Sequence, residues 1–204
     1  MTRTEGTVYI VDDDPDVRKS LGRLMESVRL AFRTFETANE FLKAFDADGP
    51  SCLVLDVRMP GISGMELQRQ FAENDITIPV IMVTGHGDVP MAVEALQRGV
   101  IDFMEKPVNP QKLLDRIHQA LAQDIERRRT MAERDAAGAR FALLTERERE
   151  VVGLAVRGQT NKQIAIQLGV SPQAIDATRA RAMDKLQVNS VAELVRLTLE
   201  AGIS

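Results

Sequence analysis

Cys52-Leu53-Val54-Leu55-Asp56 is a run of four apolar residues closed by a carboxylate. Such a run fits a strand buried on both faces, as in a parallel sheet. The pattern returns along the chain. Val8-Tyr9-Ile10-Val11 is followed by Asp12-Asp13-Asp14, and Val80-Ile81-Met82-Val83 by Thr84-Gly85. Ala31-Phe32-Arg33-Thr34-Phe35 and Ile101-Asp102-Phe103-Met104 are two further runs, the second lying just ahead of Lys106-Pro107. Between the runs, apolar residues recur at helical spacing: Val17, Leu21, Leu24, Met25 and Val28; Met65, Leu67 and Phe71; Val93 and Leu96; Leu113, Leu114, Ile117 and Leu121. Five β-α units predict an α/β domain over residues 1–121, a doubly wound five-stranded parallel sheet.

The chain has 204 residues, enough for one or two domains. Its single cysteine, Cys52, excludes an intrachain disulfide and reads as a small buried thiol. No stretch reaches the roughly 20 apolar residues of a membrane span, and the first residues lack a signal peptide's apolar stretch, so a cytoplasmic protein without a membrane partner is expected. The net charge is −4, and it is unevenly distributed. Residues 1–121 hold 13 basic and 19 acidic residues, net −6; residues 122–204 hold 13 and 11, net +2. A local basic face is therefore open to the second part.

Residues 122–140 are charged and Ala-rich, without Pro or Gly before Gly138, and read as a helical linker that continues the fifth helix, either solvated or pairing on signalling. Residues 141–204 carry no strand-like run. Thr145-Glu146-Arg147-Glu148 is a capping box. Gly158 and Gly169 end two helices, Ser171-Pro172 starts a third and Ser190 caps a fourth. Four short helices with a Gly-broken turn predict a small all-α helix-turn-helix domain.

In an open α/β sheet, ligands bind at the carboxyl ends of the strands. That edge here carries Asp12, Asp13, Asp56, Thr84 and Lys106. Packed carboxylates repel, and a divalent cation relieves them; oxygen ligands with room for water and phosphate suit Mg²⁺. A carboxylate beside such a cation can accept a phosphoryl group, with Lys106 and the Thr84 hydroxyl holding its oxygens.

Val11-Asp12-Asp13-Asp14-Pro15, Asp56-Val57-Arg58-Met59-Pro60-Gly61, Thr84-Gly85-His86-Gly87-Asp88 and Lys106-Pro107 resemble the receiver domain of two-component response regulators, a flavodoxin-like fold. The resemblance implies that Asp56 is the phosphoacceptor, fed by a sensor histidine kinase. It implies Asp13 as a direct Mg²⁺ ligand, Asp12 acting through a bound water, and the Arg58 main-chain carbonyl in the metal shell. Thr84 becomes the switching hydroxyl and Phe103 the aromatic switch, lacking the hydroxyl of the commoner Tyr. Lys106 pairs with the phosphate, ahead of a cis bond to Pro107. Arg58 and His86 stand where the family tunes phosphate lifetime; a general base or a metal ligand are the other readings of His86. Asp14 is expected to cap the first helix.

Leu144 to Val152, Gly158-Gln159-Thr160-Asn161-Lys162-Gln163-Ile164-Ala165 and Met183 to Val188 resemble the LuxR-type helix-turn-helix, and the whole chain looks like a FixJ/NarL-type response regulator. The resemblance implies double-stranded DNA as a partner, a homodimer formed on phosphorylation, and RNA polymerase downstream. Thr160, Asn161 and Lys162 are candidates for backbone phosphate; Gln173, Asp176, Ala177, Thr178, Arg179 and Arg181 are candidates for the major groove. Asp176 departs from a common Lys, and Thr178 from a common His or Tyr. A carboxylate there repels phosphate but accepts from cytosine. Leu194, Val195 and Leu197 to Leu199 give the last helix an apolar face for dimerisation or for the core.

Two rivals stand beside a transcriptional regulator. An aspartyl-phosphate phosphatase needs a second carboxylate two residues after the nucleophile, where Arg58 stands. A phosphorylated interaction module would have a helical domain that no longer binds DNA. The expectation is a regulator, not an enzyme.

Overall fold

The computed structural model describes residues 6–73, 76–85 and 89–203. The chain divides into two compact units, Met1–Arg128 and Arg129–Ser204.

In the first unit, strands β1 (Thr7–Val11), β2 (Ala31–Phe35), β3 (Ser51–Asp56), β4 (Val80–Thr84) and β5 (Asp102–Glu105) alternate with helices α1 (Pro15–Ser27), α2 (Ala38–Ala44), α3 (Gly64–Glu73), α4 (Val89–Gln97) and the start of α5 (Pro110–Ala142). The sheet runs β2-β1-β3-β4-β5, all parallel, as the apolar runs predict. Successive side chains of a strand point to opposite faces, and the core divides accordingly. Tyr9, Val11, Leu53, Leu55 and Met82 pack with Phe41, Leu67 and Phe71. Val8, Ile10, Cys52, Val54, Ile81 and Val83 pack with Leu21, Met25, Leu113, Ile117 and Leu121. Every residue of β3 is buried, the reason its sequence shows no polar alternation.

Local chemistry sets the helix starts. Asp14 caps α1, accepting from the Asp16 and Val17 N–H groups, with Pro15 at the first helical position. Thr37 caps the short α2, which the apolar spacing alone does not reveal. Helix α4 forms around Val93 and Leu96, as their helical spacing predicts. Val93 and Leu96 are 47% and 48% exposed, and Ala95 is the buried residue. A small side chain carries this contact, so the large apolar residues mark the outer face.

The charges at the end of the first unit are not a solvated face. Asp124 on α5 is fully buried. It accepts from the Ser51 N–H at 3.0 Å, from Arg127 at 2.6 and 3.1 Å and from Arg128 Nε at 2.7 Å. The arginines continue to the carbonyls of Thr77 and Ala47. This clamp ties α5 to the amino edge of the sheet, opposite the acidic end. Burial, reinforced by the Asp124 charge, pushes the neighbouring Cys52 thiol far up, which makes it inert.

The second unit contains the last turns of α5, then α6 (Glu146–Val156), α7 (Asn161–Leu168), α8 (Pro172–Leu186) and α9 (Val191–Ala201). Ala137, Phe141, Leu144, Val152, Leu186, Leu194 and Leu197 share one cluster; Val151, Leu154, Ile164, Ala165 and Ile175 form another. The capping box at Thr145 and Glu148 and the caps at Ser171 and Ser190 form as expected. Gly169 turns from α7 to α8 in the left-handed region (φ 65°), where a Cβ is strained. No helix among the described residues is long and apolar enough to cross a membrane.

Candidate functional site

Strand register assembles the acidic site. Val11 pairs with Leu55, so the residues that follow them, Asp12 and Asp56, emerge side by side. Asp56 pairs with Val83, which puts Thr84 one step further along the next strand. Lys106 follows β5, and its N–H donates to the Thr84 carbonyl. The crevice lies where strand order reverses, between β1 and β3.

Asp12, Asp13 and Asp56 each bring a carboxylate oxygen within 4.8 Å of the others. Asp12 and Asp56 are buried and Asp13 half-buried. The Lys106 ammonium donates to Asp12 Oδ2 at 2.7 Å and to Asp56 Oδ2 at 2.8 Å. Burial raises the Asp12 carboxyl above its ordinary range, against the pull of Lys106 and of the Asp14 N–H. Burial also works against the Lys106 charge, but its hydrogen bonds and attraction to Asp12 and Asp56 outweigh this and hold the ammonium above the usual lysine range. Three carboxylates against this ammonium leave excess negative charge on an all-oxygen donor set, which suits a hard divalent cation.

The other expected residues take these places. Thr84 is fully buried, and Phe103 is partly buried against the core. Arg58 is exposed, and its N–H donates to Asp56 Oδ1 at 3.2 Å. The Lys106–Pro107 bond is cis. His86 lies outside the described residues. Two contributors carry no signal that apolar spacing could show. Arg18 donates to the Asp12 carbonyl at 2.6 Å. Gly64 packs so closely on the Asp56 carbonyl that a Cβ would fall inside van der Waals contact.

In the second unit, Gln173, Asp176, Ala177 and Arg181 stand exposed at helical spacing on α8, away from buried Ile175, Ala182 and Leu186. Lys162 is exposed in the first turn of α7. Thr160 caps that helix, exchanging hydrogen bonds with Gln163 in a second capping box. Thr178 is buried; its hydroxyl donates to the Ala174 carbonyl and accepts from Arg181. Asn161 lies between two charged side chains, donating to Asp176 and accepting from Arg179, a link that spacing along one helix cannot show because it joins α7 to α8. In the first turn of α6, buried Glu148 accepts from the Lys185 ammonium at 2.7 Å and from the Thr145 N–H at 2.8 Å. These contacts, Lys185 foremost, hold its carboxyl down to about 2.

Comparison with known proteins assigns a family to each of the two units. Residues 8–118 match the response regulator receiver domain, and residues 142–198 match the bacterial regulatory proteins of the luxR family. The transcriptional regulatory protein FixJ of Bradyrhizobium diazoefficiens is 40% identical over 98% of each chain. Nodulation protein W of the same organism is 41% identical, over 98% of this chain and 88% of its own length. Among solved structures, the response regulator StyR superposes with a TM-score of 0.87 at 42% identity, covering 96% of this chain and 99% of that one. Full-length FixJ from B. japonicum gives 0.60 at 40% identity, over 98% of each. The chain belongs to the response regulators that join a receiver domain to a LuxR-family DNA-binding domain, and it is a phosphorylation-dependent transcriptional regulator.

Proposed function

We propose that Asp56 is the phosphoacceptor and that its phosphorylation by a sensor histidine kinase controls DNA binding by the second unit. The observation that carries this reading is the Lys106 ammonium shared between Asp12 and Asp56 at the switch point of the sheet. An Asp56 carboxylate oxygen attacks phosphorus, the phosphorus–nitrogen bond of the donor phosphohistidine breaks, and the electron pair returns to the imidazole. Lys106 then follows the new charge onto a phosphate oxygen. Asp12, Asp13, Asp56 and the Arg58 main-chain carbonyl would hold Mg²⁺, which when bound neutralises the charge on the carboxylates and the phosphoryl oxygens. Thr84 would bond the phosphate, and Phe103 would repack as it moves. The exposed apolar side of α4, with Val89 77% exposed beside Val93 and Leu96, supports a surface that changes partners on signalling, and a homodimer is the expected outcome.

In this reading residues 1–121 receive the signal, 122–140 link, and 141–204 bind double-stranded DNA, with α8 in the major groove and Lys162 on backbone phosphate. RNA polymerase is the downstream partner, in the cytoplasm. The protein is a switch and not a phosphatase: exposed Arg58 stands where a general acid would be needed.

Intact-mass measurement after incubation with acetyl phosphate and Mg²⁺ tests the acceptor. The wild type gains one phosphate, and Asp56→Asn gains none. Equal labelling of the variant refutes the assignment.

A further inference from the structure

We infer that Asp176 is a specificity-determining residue, which the structure holds as a fixed hydrogen-bond acceptor for the exocyclic amine of a cytosine in the major groove. The inference rests on the DNA-binding reading of the second unit.

A lone carboxylate on a groove-facing helix would swing away from the phosphates. Asp176 is anchored instead. Arg179 Nη1 donates to Asn161 Oδ1 at 3.1 Å, and Asn161 Nδ2 donates to Asp176 Oδ1 at 3.0 Å. The chain has one sense only. The guanidinium carries donors and the carboxylate acceptors, so the amide between them must turn its oxygen to Arg179 and its nitrogen to Asp176. A cation at one end and an anion at the other polarise both bonds in the same direction. Each group restrains the next: Asn161 belongs to the first turn of α7, whose start is fixed by the Thr160–Gln163 box, while Asp176 and Arg179 sit on α8.

The arrangement has two consequences. The positive charge of Arg179, half-buried and one link away, offsets the repulsion between the carboxylate and nearby phosphates. With Oδ1 held by Asn161, Oδ2 is the oxygen presented to a base edge, at an orientation set before DNA arrives. The nearest neighbours on that face, Gln173, Ala177 and Ala180, are exposed and uncharged, and Arg181, one turn beyond Ala177, adds a positive charge. A fixed acceptor selects a base that offers a donor. In the major groove the cytosine amine is the donor that acidic side chains read, whereas thymine offers an oxygen that a carboxylate repels.

The test is selection from a random duplex library by the full-length protein, with and without Mg²⁺ and beryllofluoride, followed by affinity measurements on the selected site. Each half-site should contain one cytosine whose replacement by thymine weakens wild-type binding by about 5- to 100-fold. In Asp176→Ala that replacement should change affinity less than about 2-fold, while other base preferences and the slope of affinity against salt persist, because no phosphate contact is lost. Asn161→Ala should blunt the same preference, since the carboxylate loses its anchor. A cytosine preference that survives unchanged in Asp176→Ala, or wild-type sites without such a position, would overturn the inference and leave the DNA-binding reading intact. A wild-type protein that selects no duplex in either state would overturn both.

Discussion

Replacing Asp124 by alanine should destabilise the first unit far more than a charged residue in a linker helix suggests. The carboxylate is fully buried and takes one hydrogen bond from the Ser51 N–H and three from Arg127 and Arg128. Removing one partner of a fully buried ion pair costs about 3–5 kcal/mol. Here the two arginine side chains remain 29% and 28% exposed and keep their carbonyl partners on Thr77 and Ala47, so water recovers part of the loss. The Ser51 N–H does not recover: Ser51 is buried, and an orphaned donor costs about 1–3 kcal/mol. The expected total is about 2–4 kcal/mol, and Asp124→Asn, which keeps one acceptor, should lose about half of that. The sequence supplies its own probe. The chain has one tyrosine and no tryptophan, and Tyr9 lies in the core of the first unit, so tyrosine fluorescence follows that unit alone during urea unfolding. With a urea slope of about 2 kcal/mol per molar, the midpoint should fall by about 1–2 M. A shift below about 0.3 M would refute the clamp as a stabilising element.

Three further outcomes are expected. Because the folded Glu148 carboxyl lies near 2, below its ordinary 4.5, its contribution to stability is present above pH 4.5 and is lost as pH falls from about 4.5 toward 2; Glu148→Gln should remove that slope in acid titrations of the second unit followed by hydrogen exchange. Gly64→Ala should destabilise the first unit by about 1–3 kcal/mol, through displacement of the Asp56 backbone, and should slow phosphorylation by acetyl phosphate; an unchanged rate and midpoint would show that the loop yields freely. Lys162→Ala should weaken binding to all duplexes alike and make affinity less steeply dependent on salt, by close to one released counterion; a sequence-selective loss would contradict a phosphate contact.

The sheet was legible because its strands are buried on both faces, so uninterrupted apolar runs such as Cys52 to Leu55 stand out. The acidic site was legible for a related reason: parallel strands end at one edge, and the residue after each run lands there. What spacing missed depends on contacts between distant segments. Asp124 reads as linker charge until Ser51, 73 residues earlier, is seen to donate to it. Val93 and Leu96 have the periodicity of a buried face, but Ala95 takes the contact with the core. In the second unit the caps at Thr145, Ser171 and Ser190 followed from local chemistry. The positions of Thr160, buried Thr178 and the Arg179–Asn161–Asp176 chain did not, because packing between α7 and α8 decides which side chains face outward and which hold one another.

Control of DNA binding through Asp56 is tested most directly by an experiment that reads both units at once. Affinity for a selected DNA site should be measured by fluorescence anisotropy, and mass by light scattering, for the wild type and Asp56→Asn with and without Mg²⁺ and beryllofluoride. The wild type should dimerise and gain affinity only with both additives, and Asp56→Asn should do neither. An equal gain in the variant, or no response in the wild type, would contradict control of the DNA-binding unit through Asp56.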